Sequence, residues 1–223
     1  MTEKKSNETV DEDALIKSQM EKMVNSYDVY MKRITFGRED ALRRMTVKLA
    51  AVKPGDCVLE IGCATGSLSL AAKRQVGSTG SVFAIDIIPG MIEVSRNKAE
   101  QANLDVTFQE GNIQDIPFDN EKFDVVMCSF MIFHMSEQVR NKGILEIFRV
   151  LKPGGSLLVL DMTLPPQSVS RSILKFFLGF MLKHDLKEIQ PVMESSGFTK
   201  IEIARANYRV LGLPLLSFLR GTK

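Results

Sequence analysis

One stretch restricts what this chain can fold into more than any other: Val58-Leu-Glu-Ile-Gly-Cys-Ala-Thr-Gly-Ser-Leu-Ser69, followed by Val82-Phe-Ala-Ile-Asp86. It reads as strand, glycine turn, helix, strand, acid. The run 57–61 is short and continuous, as expected of a strand buried on both faces, and Gly62 and Gly66 let the backbone turn tightly and approach a ligand closely. A nucleotide-like ligand is expected over that turn.

Spacing separates the two cofactor classes that use this design. A dinucleotide site wants G-x-G-x-x-G with an acid about twenty residues on. Here those glycine positions hold Gly62, Ala64 and Ser67, which disfavours an NAD-dependent oxidoreductase. With Glu60 included, the pattern E-x-G-x-x-x-G resembles motif I of the class I S-adenosylmethionine (SAM) methyltransferases, usually E/D-x-G-x-G-x-G, from which Ala64 departs by one methyl group. That resemblance implies SAM as cofactor and S-adenosylhomocysteine as product, with the loop facing an amino-acid tail and a ribose.

The rest of the composition narrows the class. A chain of 223 residues, 44% apolar and 25% charged, suits one globular domain with a sizeable core. A net charge of +2 gives no reason to expect nucleic acid. Cys57, Cys63 and Cys128 lack C-x-x-C spacing, so neither disulfides nor a metal centre is expected, and a reducing, cytoplasmic compartment is the default. No signal peptide is expected, because residues 1–13 are polar and charge-mixed; they are expected to fray.

Residues 14–51 carry a helical pattern interrupted by the segment 25–37, which contains Tyr27-Asp28 and Tyr30. With Val52-Lys-Pro-Gly-Asp56 before the first strand, this region resembles the C-methyltransferases of ubiquinone and menaquinone biosynthesis, in which a Tyr-Asp pair precedes the nucleotide fold. Tyr27 either covers the cofactor or substrate or simply packs the N-terminal helices.

Further strands are expected at 82–86, 106–109, 123–129 and 157–161, with helices at 67–76, after Pro89, at 137–151 and at 187–196. Asp86, at a strand's carboxyl end, is suited to accept from ribose hydroxyls; the alternative is a surface acid or N-cap. In the family, the segment matching Glu110-Gly-Asn-Ile-Gln-Asp-Ile-Pro-Phe118 clamps the adenine, so Asn112 would meet its amino group and Ile113 its ring. Topology puts Ser129, Phe130 and His134 at the carboxyl end of the fourth strand, where ligands sit in open α/β sheets. His134 matches a histidine common in related methyltransferases and suits a general base; otherwise it holds the next helix. Lys152-Pro-Gly-Gly155 adds a second methyltransferase resemblance, which then covers the chain from about Tyr27 onward.

The cofactor-binding set is therefore Glu60, Gly62, Cys63, Ala64 and Gly66 in the turn, Asp86, Ile87 and Met91 beyond the second strand, Asn112 and Ile113, and Ser129. His134 and Tyr27 are the catalytic candidates. The stretch 171–183 carries Ile173, Phe176, Phe177, Phe180 and Met181 at helical spacing, on a shorter insertion than the quinone enzymes have. It would serve as core, as a wall for an apolar substrate, as a dimer contact or as a peripheral membrane contact. The expected architecture is a Rossmann-like α/β fold: a seven-stranded, mostly parallel sheet, helices on both faces and, from the resemblance, an antiparallel last strand. Residues 1–45 would form a tail and helical lid, and 46–223 the methyltransferase domain. The expected function is methyl transfer to a small apolar or amphipathic acceptor, such as a quinone precursor or lipid, by a monomer or homodimer. The alternative is a SAM-binding regulatory or accessory protein without catalysis.

Overall fold

The computed structural model describes residues 3–163, 186–208 and 215–223. The N-terminal helices are α1 (Glu3–Met23), a 3-10 turn (Val24–Ser26), α2 (Tyr27–Ile34) and α3 (Glu39–Leu49). Then come β1 (Cys57–Ile61), α4 (Ser67–Val76), β2 (Ser81–Asp86), α5 (Pro89–Gln101), β3 (Thr107–Glu110) and β4 (Phe123–Ser129). A 3-10 turn (Ile132–His134) leads to α6 (Glu137–Val150) and β5 (Leu151–Met162). A 3-10 turn (Leu186–Glu188), α7 (Gln190–Ser196), β6 (Thr199–Arg205) and β7 (Leu216–Thr222) complete the described elements.

The seven strands lie in the order β3-β2-β1-β4-β5-β7-β6. β7 runs antiparallel to both β5 and β6, and the other pairs are parallel. Chain order reverses between β1 and β4, which opens a crevice beyond their carboxyl ends.

Continuous apolar runs form the central strands because both faces are covered. Val58, Val125, Met127, Leu158 and Leu160 pack with Leu42 and Val47 of α3 and Leu68 and Ala72 of α4. Their neighbours Leu59, Ile61, Val126, Cys128, Leu157 and Val159 pack with Ile144 and Ile147 of α6 and Met193 of α7. The helix ends follow local chemistry. Gly77 (φ 71°) stops α4, and the Ser136 hydroxyl accepts the Val139 N–H at the start of α6.

Three expectations are corrected. α1 reaches back to Glu3 instead of fraying to residue 13, since this stretch is rich in helix-forming Glu and Lys. The segment 25–37, expected to interrupt the helical pattern at 14–51, itself carries helix α2 after the Val24–Ser26 turn. β5 begins at Leu151, which pairs with Phe123 across an irregularity before regular pairing resumes at Ser156. The last strand spans Leu216–Thr222. The helix expected at 171–183 lies outside the described residues.

Candidate active site

The chain leaves β1 at Ile61 and turns through Gly62, whose φ of 69° places it in the left-handed region. The N–H groups of Gly62 and Cys63 both donate to the Ile85 carbonyl, at 2.8 and 3.1 Å. A Cβ on Gly62 would lie 2.7 Å from the Met131 sulfur, and one on Gly66 2.9 Å from the Phe108 ring. Ala64 also adopts a left-handed conformation, with φ 45°. Its N–H donates to Asp86 Oδ2 at 2.8 Å, while the Ile88 N–H donates to Oδ1 at 3.0 Å. One carboxylate thus fixes the turns after both β1 and β2. Burial raises the pKa of Asp86, and the hydrogen bonds from Ala64 and Ile88 oppose that rise.

Above the turn lies a cavity of about 760 Å³, within the roughly 300–1,000 Å³ range of small-molecule sites. Its floor comprises Gly62, Ala64, Asp86, Ile87, Met91, Asn112, Ile113 and Ser129, and its far wall includes Phe130, Met131, His134 and Met135. The roof is α1 and α2, through Ile16, Met20, Met23, Tyr27, Tyr30, Met31 and Ile34. Most of the sequence-derived site residues therefore meet around one space. A second hollow of about 570 Å³, between Asp115 and Arg149, is polar. Within it Arg149 pairs with Glu146 at 2.7 Å and donates to the carbonyls of Phe118 and Ile116. The apolar cavity is the candidate site.

Three expected cofactor residues do not line it. Glu60 is 3% exposed and lies beneath the turn, where it accepts the Ser69 hydroxyl. Burial pushes its pKa up to about 7, against lowering by Ser69 and Arg43. Cys63 packs with Leu70, Ile92 and Phe108, and burial holds its thiol pKa well above the ordinary range. Gly66 begins α4 in a left-handed conformation and allows the helix to approach Phe108 and Ser95. All three shape the turn from behind.

The remaining candidates have distinct local roles. Asn112 Oδ1 accepts the Gln114 N–H at 2.9 Å, which leaves one lone pair on that oxygen and both amide N–H bonds. Ser129 is 8% exposed, and its hydroxyl has no hydrogen-bond partner among the described residues. The adjacent Phe130 has φ 59°, and its N–H donates to Leu160 O at 2.9 Å. Strained backbone of this sort clusters at ligand sites. Burial pushes the Tyr27 phenol up to a pKa of about 12, so at neutral pH its chemistry is hydrogen-bond donation rather than proton abstraction.

Sequence reasoning missed the contacts that hold the roof down. Asp13 of α1 accepts the Ser136 N–H at 2.9 Å and the Ser136 hydroxyl at 2.8 Å, adding negative charge at the N-terminus of α6. Asp28 of α2 meets Thr65 of the glycine turn and Lys98 of α5. The Tyr27-Asp28 pair was visible, but nothing local in the sequence links Asp28 to Lys98.

The residues present suit a nucleoside bearing an amino-acid tail. Asp86 retains acceptor capacity, Ser129 offers a hydroxyl without a partner among the described residues, and Gly62 and Ala64 add no bulky side chain of their own to the turn. Comparisons with known proteins agree. Residues 58–155 match a methyltransferase domain family. The ubiquinone/menaquinone biosynthesis C-methyltransferase UbiE of Salmonella arizonae is 31% identical over 182 residues, spanning 78% of this chain and 72% of that protein. Among solved structures, a SAM-dependent methyltransferase from Aquifex aeolicus superposes with a TM-score of 0.65 at 18% identity, covering 92% of this chain and 97% of the other. A phosphoethanolamine N-methyltransferase of Haemonchus contortus, solved with S-adenosylhomocysteine, gives 0.64 at 19% identity, covering 82% of this chain and 52% of the other. Fold, glycine turn and relatives converge: the chain is a class I SAM-dependent methyltransferase and belongs to the family of the ubiquinone/menaquinone biosynthesis C-methyltransferases.

Proposed function

We propose that this enzyme methylates a small apolar or amphipathic acceptor, such as a quinone precursor or another lipid-like ring compound. The observation that carries this reading is the contrast within one cavity: polar groups gather on the floor at Asp86, Asn112 and Ser129, while Met20, Met23, Tyr30, Met31, Ile34 and Met135 build an apolar chamber beside them. Asp86, Asn112, Ile113 and Ser129 would hold the nucleoside, and the Gly62–Ala64 turn its amino-acid tail. SAM supplies an electrophilic methyl group on a sulfonium. The protein's part is to align the acceptor and to exclude water, effects that need no elaborate catalytic constellation. His134 lies on the chamber wall, and we assign it the role of base toward a phenol or acidic carbon. Tyr27 would act as a donor and as part of the roof.

We place the lid in α1 and α2, short of the expected boundary at residue 45, because Leu42 and Val47 of α3 are built into the core beside α4. Among the described residues no helix is long and apolar enough to cross a membrane. The three cysteines are free thiols, as suits the reducing cytoplasmic compartment we assign to the enzyme.

Calorimetry with SAM, S-adenosylhomocysteine and NAD, followed by methyl uptake onto quinones, lipids and small phenols, tests the proposal. SAM and its product should bind, NAD should not, and the apolar ring compounds should be methylated. Asp86→Ala should weaken SAM by about 1.5–3 kcal/mol, the scale of hydrogen bonds to a charged group. Methylation of polar acceptors only would refute the acceptor class.

A further inference from the structure

Helix α2 and the turn after it present two unlike faces. Tyr27, Tyr30, Met31, Ile34 and Thr35 line the cavity. Val29, Lys32, Arg33 and Phe36 recur at i, i+3, i+4 and i+7 on the other side, and all four are exposed. Val29 is 51% and Phe36 67% exposed, the latter the highest value among the large apolar side chains described as exposed.

Folding does not account for a phenylalanine at position 36. Its φ of 51° lies in the left-handed region, unfavourable for a bulky side chain, and about two thirds of the residue stays exposed. Asparagine would hold the same turn with less strain. The surroundings are basic. Lys32, Arg33, Arg38 and Arg44 are exposed, whereas of the nearby acids among the described residues Asp28, about half exposed, is tied to Lys98, Glu39 is tied to Arg43, and Asp40 is exposed. An exposed aromatic ring within a cationic rim matches the chemistry of a bilayer's headgroup boundary when that bilayer carries negative charge.

We infer that the outer face of α2 docks on anionic lipid, with the Phe36 ring in the headgroup boundary and Lys32 and Arg33 against phosphates. The same short helix then has lipid on one side and the acceptor chamber on the other, so an apolar acceptor travels a short path from bilayer to site. That last step rests on the acceptor class proposed above; the docking does not.

Sedimentation of the full chain with phosphatidylcholine vesicles, with and without phosphatidylglycerol, tests the docking directly. Binding should require the anionic lipid and weaken with salt. The double variant Lys32→Gln/Arg33→Gln should lower partitioning by about 25-fold, on the basis of about five-fold per cation at an anionic surface. Phe36→Asn should lower it by about ten-fold while melting no lower than the parent. SAM binding, read by calorimetry, should be unchanged in both variants, and methyl transfer to detergent-dispersed acceptors separately checks the acceptor class. Equal binding to uncharged vesicles, binding to neither, or an indifferent Phe36→Asn would overturn the inference. So would lipid-free self-association that Phe36→Asn abolishes, which would assign this face to a second copy.

Discussion

Lys98 of α5 places its ammonium 3.1 and 3.0 Å from the two carboxylate oxygens of Asp28 in α2, and 3.2 and 2.9 Å from the hydroxyls of Thr65 and Ser67. Thr65 in turn donates to Asp28. One cluster therefore joins the roof, the glycine turn and the helix after β2. Asp28 is about half exposed, so the pair contributes at most about 1 kcal/mol to global stability. Its effect falls on the roof. Asp28→Asn should leave the melting temperature within a degree or two but speed hydrogen exchange in α1 and α2, and weaken SAM by about three- to five-fold. Unchanged exchange in α2 would show that the cluster does not hold the roof.

Ala64 departs from the family glycine at a position where the backbone is left-handed. Such a conformation costs a residue with a Cβ about 1–2 kcal/mol, partly offset by the lower chain entropy of unfolded alanine. Ala64→Gly should therefore raise stability by about 1 kcal/mol, measured by chemical denaturation, with SAM affinity retained. A destabilised glycine variant would mean that the methyl group has packing value beyond its strain.

Glu60 gives an unusual pH dependence. Burial lifts its pKa from 4.5 to about 7, so between those values the folded chain keeps a proton that the unfolded chain has lost. Its contribution is most favourable below pH 4.5, declines as pH rises to about 7, and is flat above. Glu60→Gln removes this ionisation and still offers an acceptor to Ser69. The variant should match the parent near pH 4.5 and exceed it at pH 8 by up to about 3 kcal/mol, a bound set by the size of the shift. Parallel stability profiles for the two proteins across this range would refute the assignment.

The same residues indicate what could be read without coordinates. β1, β2 and β4 were legible because burial on both faces demands unbroken apolar runs, and the acid at Asp86 was legible because it stands at a fixed distance from the glycine turn. Glu60 was found, but its place beneath the turn was not, because spacing gives proximity without direction. The early start of β5 was hidden by Lys152-Pro-Gly-Gly155, whose composition reads as a turn although Leu151 already pairs with Phe123. Neither Asp28–Lys98 nor Asp13–Ser136 was legible: each joins segments whose meeting depends on the whole sheet being assembled.

For catalysis, His134→Ala should lower turnover by about 10²-fold or more with SAM affinity nearly unchanged, the usual consequence of losing a general base. Steady-state kinetics from pH 6 to 9 decides this. Full turnover across that range would leave alignment alone as the source of rate.

The nearness of the Met131 sulfur to the space above Gly62 has a thermodynamic consequence. A ligand crossing the turn meets a thioether before it meets bulk solvent, so part of the apolar surface it would cover is already dry. The heat-capacity decrease on binding should then be smaller than the buried area alone implies, and substituting Met131 with alanine should enlarge it by letting water wet the turn in the free enzyme.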